Sequence, residues 1–242
     1  MTPAIDPDVT LGDLVTEHPE LARALERRGL DYCCGGARSL ADACAEQGLD
    51  AGVVAAALGT DADAATVPDW AVLAPTALAE HIVATHHRSL DDELPRLSGL
   101  LEKIERVHGE RHPELAAVRH AYESLRADLE PHLRKEERVL FPMIRLLESE
   151  PEPPRFVCGS LRNPISVMLA EHDLVGDLLR ELRALTDGFT VPADGCASYR
   201  AAYEALEALE ADTHLHVHKE NNRLFPAVVA LEDERCAAVG DG

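Results

Sequence analysis

Two copies of one pattern, His-x3-Glu-x3-Leu-Phe-Pro, constrain this chain more than any other feature: they occupy residues 132–142 and 216–226, 84 residues apart. Each copy is preceded by another histidine at nearly the same distance, His87 lying 45 residues before His132 and His172 lying 44 before His216. Residues four apart on an α-helix are about 40° apart around the axis and about 6 Å along it, so His132 and Glu136 share one face, as do His216 and Glu220. The apolar spacing around them is helical over long stretches, 75–108, 113–148, 164–186 and 197–232, mostly opened by a proline where a first turn tolerates one. Two tandem hairpins, each with one His on its first helix and a His-x3-Glu on its second, predict an antiparallel four-helix bundle with a pseudo-two-fold interior. Residues 149–163 cannot continue a helix and join the hairpins, whereas Pro95, Pro131, Pro142 and Pro226 fall inside the helical patterns and should kink or locally end them.

Four imidazoles and two carboxylates aimed at one interior make a donor set with a definite chemistry. Ionised carboxylates buried without cations cost several kcal/mol each or are forced to take up protons, and metal ions remove that conflict. Borderline nitrogen donors with oxygens able to bridge suit a pair of iron ions held close together, with two His per metal and bridging Glu136 and Glu220. That count leaves at least one position per iron for solvent, an oxo or hydroxo bridge, or a small ligand, so the centre would be reactive rather than closed. On the first helix His86 and His87 are about 100° apart and cannot both face the centre. His214 and His218 point about 200° away from His216 and read as surface residues, and Glu137 reads as lying off the ligand face. Glu171, before His172, and Asp128, one turn before His132, are either groups supporting the ligands or ordinary exposed acids.

The first sixty residues read as short helices. Thr10 caps one, Pro19 opens a second that stops at Gly29, Ser39 caps a third that ends at Gly48, and 51–58 forms a last one before Gly59. Leu11, Leu14, Val15, Leu21, Leu25, Leu40, Leu49 and Leu58 could share a core, one that is marginal by itself at this length. An Asp-rich, uncapped stretch follows, so the expected organisation is an N-terminal helical domain over 1–59, a linker over 60–74 and the bundle over 75–236. The fold class is all-α. With 44 acidic against 23 basic residues, the formal charge of -21 repels phosphate backbones and anionic lipid, which excludes nucleic acid and membrane surfaces as partners. No window approaches the roughly 18 apolar residues of a membrane span, and 1–13 carries three Asp without a basic or apolar leader region, so a cytoplasmic location is expected.

Six cysteines, two of them adjacent, do not resemble an extracellular disulfide framework, and free thiols are expected. Cys33 and Cys34 stand in Asp31-Tyr32-Cys33-Cys34-Gly35-Gly36, a turn between short helices. Adjacent cysteines close only a strained ring, so the pair stays open or reacts transiently. The nearby N-terminus of the helix opened by Ser39 would favour thiolate. Two readings stand side by side: a thiol pair that meets a metal, a nitrosyl group or a redox partner, and two small buried residues flanking a turn. Cys44, Cys158, Cys196 and Cys236 are assigned structural places.

Together the stretches HPELARALERRGLDYCCGG, THHRSLDDELPRL, PHLRKEERVLFPMI, NPISVMLAEHD and HVHKENNRLFP resemble the iron-sulfur cluster repair di-iron proteins, the RIC family. The resemblance covers nearly the whole chain, with a DYCCGG domain ahead of a hemerythrin-like bundle. It selects His87 over His86, and it places the family's metal ligands on His87, His132, Glu136, His172, His216 and Glu220, with the two glutamates bridging. It implies participation in repairing iron-sulfur clusters damaged by oxidative or nitrosative stress, in the cytoplasm. The molecular step would be iron donation from a labile di-iron centre or, as an enzyme, reduction of nitric oxide at that centre, with Cys33 and Cys34 assisting. The expected partners are damaged iron-sulfur proteins, nitric oxide or oxygen species, and a second copy of the chain as a homodimer. Reversible oxygen or nitric oxide binding, as in hemerythrin-like carriers and sensors, is the alternative.

Overall fold

The computed structural model describes residues 5–61 and 68–240, and among them the only regular elements are helices, with two isolated β-bridges. The all-α class expected from the sequence is what the chain adopts. The helices are α1 (Leu11–Glu17), α2 (Ala22–Glu26), α3 (Leu40–Glu46), α4 (Ala51–Asp61), α5 (Pro75–Ile82) and α6 (Arg88–His108), followed by α7 (Glu114–Lys135), α8 (Phe141–Ser149), α9 (Arg162–Leu185), α10 (Ala197–Lys219) and α11 (Phe225–Gly240). Two compact units are formed: one from Ile82–Met143 with Arg162–Thr213, the other from Met1–His81, Ile144–Leu161 and His214–Gly242.

The first unit is a four-helix body of α6, α7, α9 and the first part of α10, with α7 packed on both α6 and α9. Its core repeats at alternating steps of three and four: Leu90, Leu94, Leu97, Leu101 and Ile104 from α6, and Leu115, Val118, Tyr122, Leu125 and Leu129 from α7. Val175, Leu179 and Leu182 from α9 and Tyr199, Tyr203, Leu206 and Leu209 from α10 complete it. That spacing keeps one stripe of each helix turned inward, and each fully buried Leu contributes about 1.5–3 kcal/mol. Two polar groups inside pair across helices or to backbone. The Tyr122 hydroxyl donates to the Leu94 carbonyl at 2.6 Å, and buried Glu210 on α10 accepts from Nε of Arg183 on α9 at 2.8 Å.

In the second unit, helix starts follow the sequence signals. Thr10 Oγ1 accepts from Asp13 N at 3.0 Å and Ser39 Oγ from Asp42 N at 3.1 Å, so both expected caps are made. Gly29 and Gly48 take φ of +68° and +66°, the left-handed conformation that ends helices where glycine stands. Two expectations fail. The helix opened at Ala51 runs through Gly59 to Asp61, because one glycine costs only about 1 kcal/mol in a helix. Leu49, expected in the core, is 36% exposed, since it falls in the connection after Gly48 rather than on a helix face. The core contains the other expected leucines and adds Cys33, Cys44, Val54 and, from the end of α10, Val217. Of the expected linker, 62–67 lie outside the described residues, while Asp69–Val72 form a 3-10 turn that buries Trp70.

Candidate metal centre

Three long helical stretches carry a π turn, and each π turn contains an expected ligand. The turns span Val83–His87, Glu136–Leu140 and Glu220–Leu224. His87 closes the first, and Glu136 and Glu220 open the others, their carbonyls accepting from the amides of Phe141 and Phe225 five residues on. A π turn inserts one residue into the helix and re-aims every side chain after it, which is why such turns gather at functional positions. The shared Leu-Phe-Pro now has a structural meaning. Leu140 and Leu224 end the wide turns, and Pro142 and Pro226, lacking an N–H, follow where the hydrogen-bond ladder has already changed register. Pro95 and Pro131 instead lie inside α6 and α7 without ending them.

Within the first unit His87, His132, Glu136 and His172 are brought together, each at most 1% exposed. His132 Nε2 lies 3.1 Å from His172 Nε2 and 3.3 Å from Glu136 Oε1. His87 Nε2 lies 3.5 Å from Glu136 Oε2. The outer ring nitrogens are held by carboxylates: His132 Nδ1 donates to Glu171 Oε2 at 2.9 Å, and His87 Nδ1 to Glu137 Oε1 at 3.1 Å. A proton on each Nδ1 leaves Nε2 as a bare lone pair pointing inward. A cation among these ring nitrogens and the Glu136 carboxylate would accept from all of them at once. Donor separations slightly above 3 Å also match neighbouring ligands on an ion with bonds of about 2.1 Å. The residues present therefore fit metal ions. Glu171 is anchored further by Lys135 Nζ. Burial pushes the Glu171 carboxyl up, but the hydrogen bonds from Lys135 and His132 more than offset this and hold it below the usual carboxylate range. His86, one residue from His87, is also buried but turns to Asp212, with Nδ1 2.8 Å from Oδ1. Asp128 is exposed, the ordinary outcome of the two that the sequence left open.

In the second unit His216 and Glu220 are fully buried, with Nε2 3.2 Å from Oε1. The two residues that follow Glu220 hold the cysteine turn. Asn222 Nδ2 donates to the carbonyls of Tyr32 at 3.3 Å and Cys33 at 3.1 Å, and Asn221 Nδ2 donates to the Cys33 carbonyl at 3.2 Å. Gly36 is required here: a Cβ would come within 2.3 Å of Asn222 Oδ1 and 2.6 Å of the Tyr32 carbonyl. The reading of His214 and His218 as surface residues is overturned. His218 is fully buried, with Nε2 3.2 Å from Thr16 Oγ1 and its ring edge-on to Tyr32 and Trp70, and burial pulls its pKa down to about 4. His214 Nδ1 sits 3.2 Å from Glu26 Oε1. Helical periodicity shows which residues share a face but not that the opposite face is covered too.

Cys33 and Cys34 are free thiols with sulfurs 3.8 Å apart, and Asp31 Oδ1 accepts from both of their amides and from Cys33 Sγ at 3.2 Å. The expectation of a thiolate favoured by the helix behind Ser39 is corrected for Cys33. Its hydrogen bond to Cys34, its burial and the adjacent Asp31 carboxylate push its thiol well above the ordinary value. The Asp31 carboxylate itself is pushed up by burial, yet bonds from the Cys33 thiol and the Gly35 and Cys34 amides bring it below the usual range. Asp31, Cys33 and Cys34 offer three ligand atoms within 4.8 Å of one another. Glu137 was read as off the ligand face of its own helix, which is compatible with its place: it reaches across to the outer nitrogen of His87.

An all-helical body with inward-facing imidazoles and carboxylates on π-turned helices defines a cation-binding helical protein of the hemerythrin kind, and residues 78–228 match the model of the hemerythrin HHE cation binding domain. Residues 7–62 match the ScdA_N model, described as a domain of unknown function. The chain is 33% identical to the iron-sulfur cluster repair protein YtfE of Enterobacter sp. (strain 638) and to that of Cronobacter sakazakii, in each case over 93% of this chain and 98% of the relative. It is 32% identical, with the same coverage, to YtfE of Escherichia coli O1:K1 / APEC. The chain belongs to the hemerythrin HHE family, among its iron-sulfur cluster repair proteins.

Proposed function

We propose that this chain is a di-iron protein of the cytoplasm that takes part in repairing iron-sulfur clusters damaged by oxidative and nitrosative stress. The observation that carries the reading is the set of buried donors: His87, His132, Glu136 and His172 turned together in one unit, and the same His-x3-Glu pattern repeated, fully buried, at His216 and Glu220. These six residues would hold the two irons. When bound, the iron pair supplies an open position for a small anionic or gaseous ligand and a store of iron that can be released. The chain's own residues set the terms. Glu171 and Glu137 fix the tautomers of His132 and His87, so that each presents a lone pair inward without waiting for a proton to leave. The leucines of the four-helix body exclude bulk water, which strengthens each charge interaction inside. Cys33 and Cys34, fastened to the π turn that Glu220 opens, would receive or pass a metal ion, with Asp31 as the third donor; their spacing supports this.

The repair reading is favoured over reversible gas carriage by the names of the relatives and by the presence of the DYCCGG turn. The test is restoration of activity. Iron-loaded chain mixed with a hydro-lyase whose iron-sulfur cluster has been damaged should restore its activity, and chain stripped of iron should not. Reversible oxygen binding by the reduced chain with no restoration would establish the carrier reading instead.

A further inference from the structure

At the far end of α6 from His87, about 30 Å away along the helix, a second cluster of reactive groups stands apart from the metal centre. Cys196 occupies the capping position of α10, the residue before Ala197, and is exposed. His108, the last residue of α6, is 4% exposed and sets Nε2 3.2 Å from Cys196 Sγ. Arg111 Nη2 lies 3.4 Å from the other ring nitrogen, Nδ1. A guanidinium only donates, so Nδ1 accepts, the ring proton sits on Nε2, and that proton points at the sulfur. The backbone amides of Ser198 and Tyr199, the second and third residues of the helix, bond the same sulfur.

We propose that Cys196 is a thiolate site that forms mixed disulfides with low-molecular-weight disulfides, His108 serving as its positioning residue. A buried imidazole N–H and two amides at a helix start are the surroundings that stabilise sulfur anions in reactive cysteines. The other charged groups about the cluster are largely engaged with each other. Asp194, two residues before the cysteine, binds Arg111 at 3.2 Å and His112 Nε2 at 2.9 Å, and His112 Nδ1 meets Glu114 at 3.0 Å. With these surroundings the thiol falls to about 7, the His108 bond being the largest cause and the Tyr199 amide the next. The sequence alone assigned Cys196 a structural place, because a cysteine and a histidine 88 residues apart share no pattern.

The step balances as thiol-disulfide exchange. The Cys196 sulfur uses a lone pair to attack one sulfur of the small disulfide, the old S–S bond breaks, and its electron pair departs with the other half as a thiolate that takes a proton from water. Cys196 is oxidised and the departing sulfur is reduced, with no further reactant.

The experiment uses the full chain. Alkylation by iodoacetamide is followed at each cysteine by mass spectrometry from pH 5 to 10, and the folded state is checked by circular dichroism. Cys196 should label with a midpoint near pH 7 and faster at that pH than exposed Cys158 and Cys236. Glutathione disulfide should add one glutathionyl group, at Cys196. In His108→Phe the midpoint should move toward the ordinary thiol value of about 8.5, slowing labelling at pH 7 several-fold. An ordinary midpoint in the unaltered chain overturns the proposal, as does labelling at Cys196 no faster than at the other two. An unchanged midpoint in folded His108→Phe overturns the role of the histidine. If that variant does not fold, the profile of the unaltered chain and the site of glutathionylation decide.

Discussion

Glu171 and Glu137 occupy no expected ligand position, yet each holds the outer nitrogen of a buried histidine and so decides which nitrogen faces inward. Replacing Glu171 by Ala frees His132 to rotate or to exchange its tautomer, and iron affinity should fall about 10- to 100-fold, measured by competition with a chelator. Glu137→Ala should do the same through His87. Glu171 was legible as a candidate because it sits beside His172, whereas Glu137 was hidden, since its reach depends on how one helix packs on another. Cys33 gives a prediction about pH. Its folded thiol is held above the ordinary value, so its contribution to stability is present below that value and is lost as pH rises through the raised one. The urea midpoint should therefore fall in alkali, and Cys33→Ala should flatten the fall; an equally steep fall in the variant would show that other groups cause it.

Among the helices the decisive devices are the π turns. The repeated Leu-Phe-Pro was visible as a repeat, but its physical meaning was not, because periodicity arguments assume an unbroken 3.6-residue helix. The turn at Glu220–Leu224 does two tasks at once, carrying Glu220 inward while Asn221 and Asn222 grip the cysteine turn. Asn222→Ala removes donors to the carbonyls of Tyr32 and Cys33 and should cost about 1–3 kcal/mol in denaturant unfolding. Gly36→Ala should cost at least as much, because its Cβ would meet the Tyr32 carbonyl at 2.6 Å and backbone cannot yield as a side chain can. Helix starts and stops were the most legible part of the fold: Thr10 and Ser39 at starts, Gly29 and Gly48 at stops, act through bonds and dihedrals local to their own residues. The end of α4 and the exposure of Leu49 were not, since both depend on what else packs nearby.

For the whole molecule, the sequence disclosed fold class and ligand pattern together because the same repeat encodes both: a bundle stripe and a donor set at fixed offsets along it. What it could not disclose was burial on the opposite face of α10, where His214 and His218 looked outward by periodicity alone and prove to be covered by Tyr32 and Trp70 neighbours. No helix among the described residues is long and apolar enough to cross a membrane. Because iron would bind donors that only the folded chain brings together, it should stabilise the fold, raising the melting temperature by several degrees over chelator-treated protein at saturating iron. The most direct measurement of all is metal content: the full chain produced with iron available, analysed by elemental quantification alongside its optical spectrum. About two irons per chain are expected, lost in both His132→Ala and His216→Ala; stoichiometric zinc alone, or no metal, would contradict the di-iron centre.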